Sequence, residues 1–271
     1  SMKIIGEKIN ASRPGIQKKL KEKESVFFQE LALRQVQKGA DMLDINIGNK
    51  AQYPEETMAW LVKKIQTVTP IPLCIDSPYP ELIEEGLNAY DFKNGKALIN
   101  SITAEQDKIN QVLPLVKKFN CSIVALPMDE NGIPTQAEKR FQMAKNILGI
   151  MKKWNIPESD IYIDPLVLPV CSNHQYARIA LDTLNLIKKY LPQVKTIVGL
   201  SNISYGLPVR KLINHSFLHM VMMSEIDAVI LDPTDQTLMS MIDSCHLLLE
   251  RDFYCQNYLK AFRQGKFKEI K

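Results

Sequence analysis

Short apolar runs rich in Ile, Val and Leu recur along the whole chain, each followed by a longer stretch in which apolar residues return at helical spacing. The runs predict strands at 3–9, 42–47, 73–76, 97–102, 122–127, 161–164, 196–199 and 228–231. The stretches between them predict helices over 23–38, from near Pro54, and over 81–88, 106–118, 136–154, 174–190, 209–223 and 235–249. Glu55 and Glu56 fall in the first turn of the helix that starts near Pro54, where acids favour the positive end of the helix dipole. A short extra helix is expected at 253–263, and residues 10–22, which include Pro14-Gly15, read as a loop.

The strand ends are polar. Asn46, Asp76, Asn100, Asp164, Asn202 and Asp232 each close or follow an apolar run, where a strand buried on both faces has no use for an amide or a carboxylate. Eight strand–helix units in about 250 residues have the size and rhythm of a (β/α)8 TIM barrel, whose chemistry sits at the carboxyl ends of the strands. A doubly wound sheet is the rival, and it normally shows a glycine-rich phosphate turn. None of the 11 glycines forms GxGxxG or a P-loop. With no linker or low-complexity segment, residues 2–271 are expected to form one domain with a short C-terminal extension from about 251.

Composition narrows the function without choosing it. The excess of 34 basic over 30 acidic side chains is too mild to argue for nucleic acid. The extension holds Arg251, Lys260, Arg263, Lys266, Lys268 and Lys271 against Asp252 and Glu269, and reads as a solvated end or a docking surface. Five cysteines form no CxxC pair and no metal-ligand spacing, which suits a reducing, cytoplasmic setting. No apolar stretch has the length of a membrane span.

The residues expected at the barrel mouth are Glu7, Asn10, Asn46, Asp76, Asn100, Asp164, Asn202 and Asp232. Acids and amides without His, Cys or Lys suit neither nucleophilic catalysis nor a zinc site, and no metal is expected. They do suit a planar, nitrogen-rich heterocycle. A carboxylate accepts two hydrogen bonds from a 2-amino/N3–H edge much as it accepts an Arg fork, and Asn offers a donor and an acceptor to the edge beside it. Asp44 and Asn46 read equally as pocket residues or strand-end hydrogen bonders, and Asp232 before Pro233 reads as a turn or helix cap. The histidines at 174, 215, 219 and 246 are scattered, and none is given a catalytic role.

Taken in order, GEKIN at 6–10, LDINIG at 43–48, IDSP at 75–78, LINSIT at 98–103, IDPL at 163–166, GLSNISYGLP at 199–208 and LDPTD at 231–235 resemble the pterin-binding barrel family. Within it they are most similar to the methyltetrahydrofolate:corrinoid methyltransferases. The resemblance covers nearly the whole chain. It implies methyl transfer between N5 of tetrahydrofolate and the cobalt of a corrinoid, with 5-methyltetrahydrofolate as the methylated substrate. It also implies that Asp76, Asn100 and Asp164 contact the pterin ring, that Asn202 is the catalytic residue near N5, and that Gly199, Ser201 and Arg210 line the pocket. Glu7, Asn10 and Asn46 are expected in the pocket wall or behind it. No DxHxxG pattern supplies an axial histidine, so the cobalamin is expected on a partner corrinoid protein. A homodimer is expected from the same resemblance. The alternatives are a dihydropteroate synthase-like enzyme, disfavoured by Asn202 where that family expects a basic residue, and a folate-binding protein without catalysis.

Overall fold

A computed structural model describes residues 2–53 and 56–267. Eight parallel strands pair in sequence order and close into a barrel: β1 Lys3–Asn10, β2 Met42–Asn46, β3 Leu73–Asp76, β4 Leu98–Ile102, β5 Ser122–Ala125, β6 Ile161–Ile163, β7 Lys195–Gly199 and β8 Ala228–Leu231. Between and after them run α1 Ile16–Lys21, α2 Ser25–Gln37, α3 Thr57–Gln66, α4 Pro80–Ala89, α5 Gln106–Phe119, α6 Ala137–Lys153, α7 Tyr176–Tyr190, α8 Arg210–Met223, α9 Gln236–Leu248 and α10 Gln256–Arg263. The architecture is a (β/α)8 TIM barrel.

Period-two alternation divides each strand between two environments. Leu43, Ile45, Ile75, Ile99, Ile123 and Ile163 face outward and pack with the apolar stripes of α2 to α6. Val198, Val229 and Leu231 do the same against α7, α8 and α9. One inward residue per strand, Ile5, Met42, Cys74, Leu98, Val124, Tyr162, Ile197 and Ala228, forms a separate apolar layer that plugs the barrel.

Two irregularities matter for what lies above that layer. The β1–β2 register shifts between Gly6 and Ile9, and the β4–β5 register shifts between Asn100 and Ile102. A bulge changes which face the following residues point to. Glu7 and Asn10, three apart, therefore both reach the mouth, as do the adjacent Asn100 and Ser101. The side chain of Gln35, fully buried on α2, fills the space beside the first bulge and accepts the Lys8 backbone N–H at 3.1 Å. A Cβ on Gly6 would collide with the Gln35 carboxamide, so a side chain there would displace Gln35 from the bulge.

Helix boundaries differ from expectation in two places. Residues 16–21 form α1 instead of loop, starting after Gly15 in the left-handed region, with Ile16 and Leu20 buried one turn apart. The helix expected from near Pro54 begins at Thr57, and Glu56 is its left-handed N-cap residue, outside the first turn. Pro54 and Glu55 lie outside the described residues. After α9 the chain continues into α10, and the extension is fastened to α9 by Gln236 Nε2 donating to the Lys266 carbonyl at 2.8 Å. Lys268 to Lys271 also lie outside the described residues. Among the described residues no helix is long and apolar enough to cross a membrane.

Candidate active site

A cavity of about 690 Å³ opens at the carboxyl ends of the strands. Its floor follows from strand periodicity. Two residues beyond the apolar plug, each strand presents its next inward side chain, giving Glu7, Asp44, Asp76, Asn100, Leu126, Asp164, Gly199 and Ile230, all in the cavity wall. Four carboxyl groups and one amide thus form most of a ring around a floor of hydrocarbon.

Such a ring suppresses ionisation. Burial pushes Asp164 up to about 7, against the lowering effects of the Leu166 backbone N–H, 2.8 Å from its Oδ1, and of the Arg140 charge. Burial pushes Asp76 up to about 6, offset in part by hydrogen bonds from Asn46 and the neighbouring Asp44 carboxyl. Asp44, 2% exposed, is raised well above the carboxylate range by burial and by the charge of Asp76. Its Oδ1 has no hydrogen-bond partner. Glu7 is raised by burial although Arg13 pairs with its Oε1, which also accepts the Ser201 hydroxyl at 2.8 Å. That contact ties β1 to the turn after β7.

The turn itself, a 3-10 segment over Leu200–Ser204, carries Asn202. Asn202 is exposed at the rim, and its amide makes no hydrogen bond to another described residue. A Cβ on residue 199 would lie 3.2 Å from the Asn202 Nδ2, so Gly199 gives that side chain room to fold back over the strand end. Arg210, the first residue of α8, donates from Nη2 to the Ser201 carbonyl at 2.7 Å and from Nε to the Ser204 hydroxyl at 3.0 Å. It holds the turn in shape from the rim.

The cavity wall therefore brings together Asp76, Asn100, Asp164, Gly199, Ser201, Asn202, Arg210, Glu7 and Asn10. Asn46 is not in the wall. It stands behind Asp76, donating to its Oδ2 at 2.9 Å and accepting the Gly48 N–H at 2.8 Å, so both ends of its amide are engaged with the protein. Asp232 reaches the wall but is engaged in a turn, accepting the Thr234 N–H and hydroxyl at 2.9 and 2.6 Å, with Lys8 2.9 Å from its other oxygen. Burial would raise it, but these contacts outweigh burial and hold it below the usual range. Asp235, not Asp232, caps α9.

Asp44 belongs to the wall and its parity with Met42 and Asn46 marks it as inward. Arg13, Tyr205 and Asn214 also line the mouth, and nothing in the sequence around them sets them apart from solvent-facing loop and helix residues. Asn214 Oδ1 is buried there without a hydrogen-bond partner.

Residues 7–232 match the family described as pterin binding enzyme. The chain is 34% identical over 268 residues to a methylcorrinoid:tetrahydrofolate methyltransferase of Eubacterium limosum, covering 98% of this chain and 97% of that one. It is 27% identical over 243 residues to a methionine synthase of Mycobacterium tuberculosis, covering 85% of this chain but only 20% of that longer protein. Among solved structures, the dihydropteroate synthase of Xanthomonas albilineans superposes with a TM-score of 0.66 at 15% identity, covering 93% of this chain and 94% of that one. That of Yersinia pestis gives 0.63, also at 15%, covering 90% and 92%. At such identities the two structures speak for the barrel alone.

Proposed function

The chain belongs to the pterin binding enzymes, and we propose that it is a methyltransferase acting between N5 of tetrahydrofolate and the cobalt of a corrinoid carried on a separate protein. The observation that carries this reading is the ring of carboxyl groups above an apolar plug, in a chain similar over nearly its full length to a methylcorrinoid:tetrahydrofolate methyltransferase.

Buried carboxylates short of donors are receptive to a ligand edge that brings two N–H groups. Asp164 is the residue best suited to accept such an edge, with Asp76 and Asn100 reading the atoms beside it. Each N–H supplied replaces solvation that the cavity has removed, so ligand binding and ionisation of Asp164 reinforce one another. The corrinoid supplies a strongly nucleophilic cobalt, so the protein need not build a nucleophile. What it must do is hold N5 in line and ease departure of an amine, a poor leaving group until it carries a proton. Asn202 is the group placed at N5: its side-chain oxygen accepts a hydrogen bond from protonated N5 and stabilises charge there. An amide cannot serve as a general acid, so the proton comes from solvent. The open rim around Asn202 and Tyr205 leaves the corrinoid protein access from above.

A homodimer and a cytoplasmic setting complete the proposal. The first rests on family resemblance and is tested by light scattering. The second is supported by five free cysteines. The direct test of function mixes the protein anaerobically with cob(I)alamin and 5-methyltetrahydrofolate and follows methylcobalamin formation. Folate binding without transfer would make it a binding protein. Dihydropteroate formation without transfer would make it a synthase.

A further inference from the structure

Arg140 in the first half of α6 is fully buried and, among the described residues, has no carboxylate in salt-bridge contact. Its hydrogen bonds go to backbone. Nε donates to the Pro134 carbonyl at 2.8 Å, and Nη1 donates to the carbonyls of Pro165 and Leu166 at 2.9 and 2.6 Å. Nη2 is buried with no partner. Burial pulls this guanidinium down from its ordinary range, against the opposing pull of Tyr176 and Asp164. A buried cation with no carboxylate in direct contact is a costly element of a fold, and an apolar side chain of similar volume would be expected to serve packing as well.

What Arg140 fastens is the segment that presents Asp164. Leu166 sits at φ 64°, a left-handed conformation that a non-glycine residue holds only when its surroundings impose it. In that conformation its N–H points back to Asp164 Oδ1 at 2.8 Å while its carbonyl takes the Arg140 hydrogen bond. The neighbouring inward positions on β5 and β7 are Leu126 and Gly199, neither of which carries charge. Glu7, Arg13, Asp44, Asp76, Arg210 and Asp232 share the cavity wall with Asp164, and among the described residues Arg140 is the charged side chain that lowers Asp164 against burial.

We infer that Arg140 is a positioning residue for Asp164: from behind the barrel it clamps the Pro165–Leu166 backbone whose N–H holds the carboxylate, and it places an unpaired positive charge behind that carboxylate. This rests on the reading of Asp164 as the acceptor for the folate edge, and it adds a device that sets the pH range over which Asp164 can accept. With Arg140 in place Asp164 is ionised above about pH 7. Without it the carboxylate has only the Leu166 N–H to set against burial.

The test uses the free, 15N-labelled protein, so it does not depend on folate. The Leu166 amide reports Asp164 ionisation through the hydrogen bond between them, and its shift should titrate with a midpoint near 7. In Arg140→Gln that midpoint should rise by about half a pH unit or more, because the charge of Arg140 favours the ionised form of Asp164. An unchanged midpoint in a folded Arg140→Gln protein overturns the inference. A second measurement leaves Arg140 intact in case that variant fails to fold. The Arg140 Nε–H resonance should titrate with the same midpoint, and the titration should vanish in Asp164→Asn; a flat profile, or one that survives in Asp164→Asn, overturns the inference. Tetrahydrofolate affinity measured against pH then carries the consequence. In Arg140→Gln it should fall up to tenfold for each pH unit by which the midpoint has risen, below that midpoint and not above it, whereas a purely structural defect lowers affinity equally at every pH. If the resonances titrate as stated and tetrahydrofolate does not bind, the folate reading fails while the Arg140–Asp164 coupling stands.

Discussion

Leu98 and Asn100, Tyr162 and Asp164, Cys74 and Asp76 are pairs on the same strands, two residues apart and facing the same interior. Burial stabilises the first member of each pair and works against the polar group of the second. A fully buried Leu contributes about 1.5–3 kcal/mol relative to an exposed one. A carboxyl group a few ångströms higher is pushed toward its neutral form by the same exclusion of water. The lower layer holds the barrel closed. The upper layer leaves the cavity short of hydrogen-bond donors, and a ligand can supply them. Stability and binding are thus separated by one step of a period-two strand.

The widest way to break that comparison is to remove packing from the lower layer. Leu98→Ala should cost about 2–5 kcal/mol of stability, the usual range for a truncated buried leucine, measured by urea unfolding. Folate affinity of the folded fraction should stay close to the parent's. A large affinity loss without loss of stability would mean that the plug shapes the binding site directly.

The reverse experiment acts on the upper layer. Asp164→Ala leaves the donors of a bound pterin edge unpaired, at about 1–3 kcal/mol each, so tetrahydrofolate affinity should fall at least tenfold while the protein stays folded. Unchanged affinity by calorimetry would remove Asp164 from the binding site.

Asn202 sharpens the comparison because it belongs to neither layer, standing at the rim on the turn after β7. A contact made to developing charge affects rate more than binding. Asn202→Ala should slow single-turnover methyl transfer to cob(I)alamin roughly 10- to 100-fold, about 1.4–2.7 kcal/mol, with a smaller loss of affinity. Asn202→Asp should retain more activity, since a carboxylate still accepts the hydrogen bond. A variant that lost only affinity would make Asn202 a binding residue.

The two layers were unequally legible in the sequence. Asp76 and Asp164 stand out because each closes a short apolar run and is followed within two residues by proline. Asp44 is harder to place. In MLDINI it sits between Leu43 and Ile45, where a buried strand reads the same whichever face the carboxyl takes, and only its parity with Met42 and Asn46 points inward. Asn46 reads equally as a pocket residue or a strand-end hydrogen bonder, and it takes the second part, serving Asp76 and Gly48 where the chain turns with φ 70°. The segment at 16–21 hides its helix behind lysines, with only Ile16 and Leu20 to show a buried face. Arg140 leaves the least trace. Within EKRFQ it looks like a solvated helix position, and its burial follows from the path of the β6–α7 loop, which local pattern does not encode.

The smallest expected effect tests the cost of the upper layer directly. An unfolded Asp ionises near 3.9, whereas Asp164 in the fold ionises near 7. Between those values the folded protein holds a proton that the unfolded chain releases. This favourable contribution is fully present below about pH 4 and is lost as pH rises through about 7. Asparagine never ionises, and its side-chain oxygen can still accept the Leu166 N–H. Asp164→Asn should therefore match the parent below about pH 4 and become the more stable protein by about pH 7. Three pH units at ~1.36 kcal/mol each would set a ceiling of about 4 kcal/mol. Water entering the cavity relieves part of that, so we expect a gain on the order of 1 kcal/mol, read as a thermal midpoint difference that opens between about pH 4 and 7. The same variant should bind tetrahydrofolate more weakly, because an amide cannot accept two donors as a carboxylate does. A stability difference that stayed constant with pH would show that Asp164 is not ionised against the pull of burial, and the upper layer would then carry no such cost.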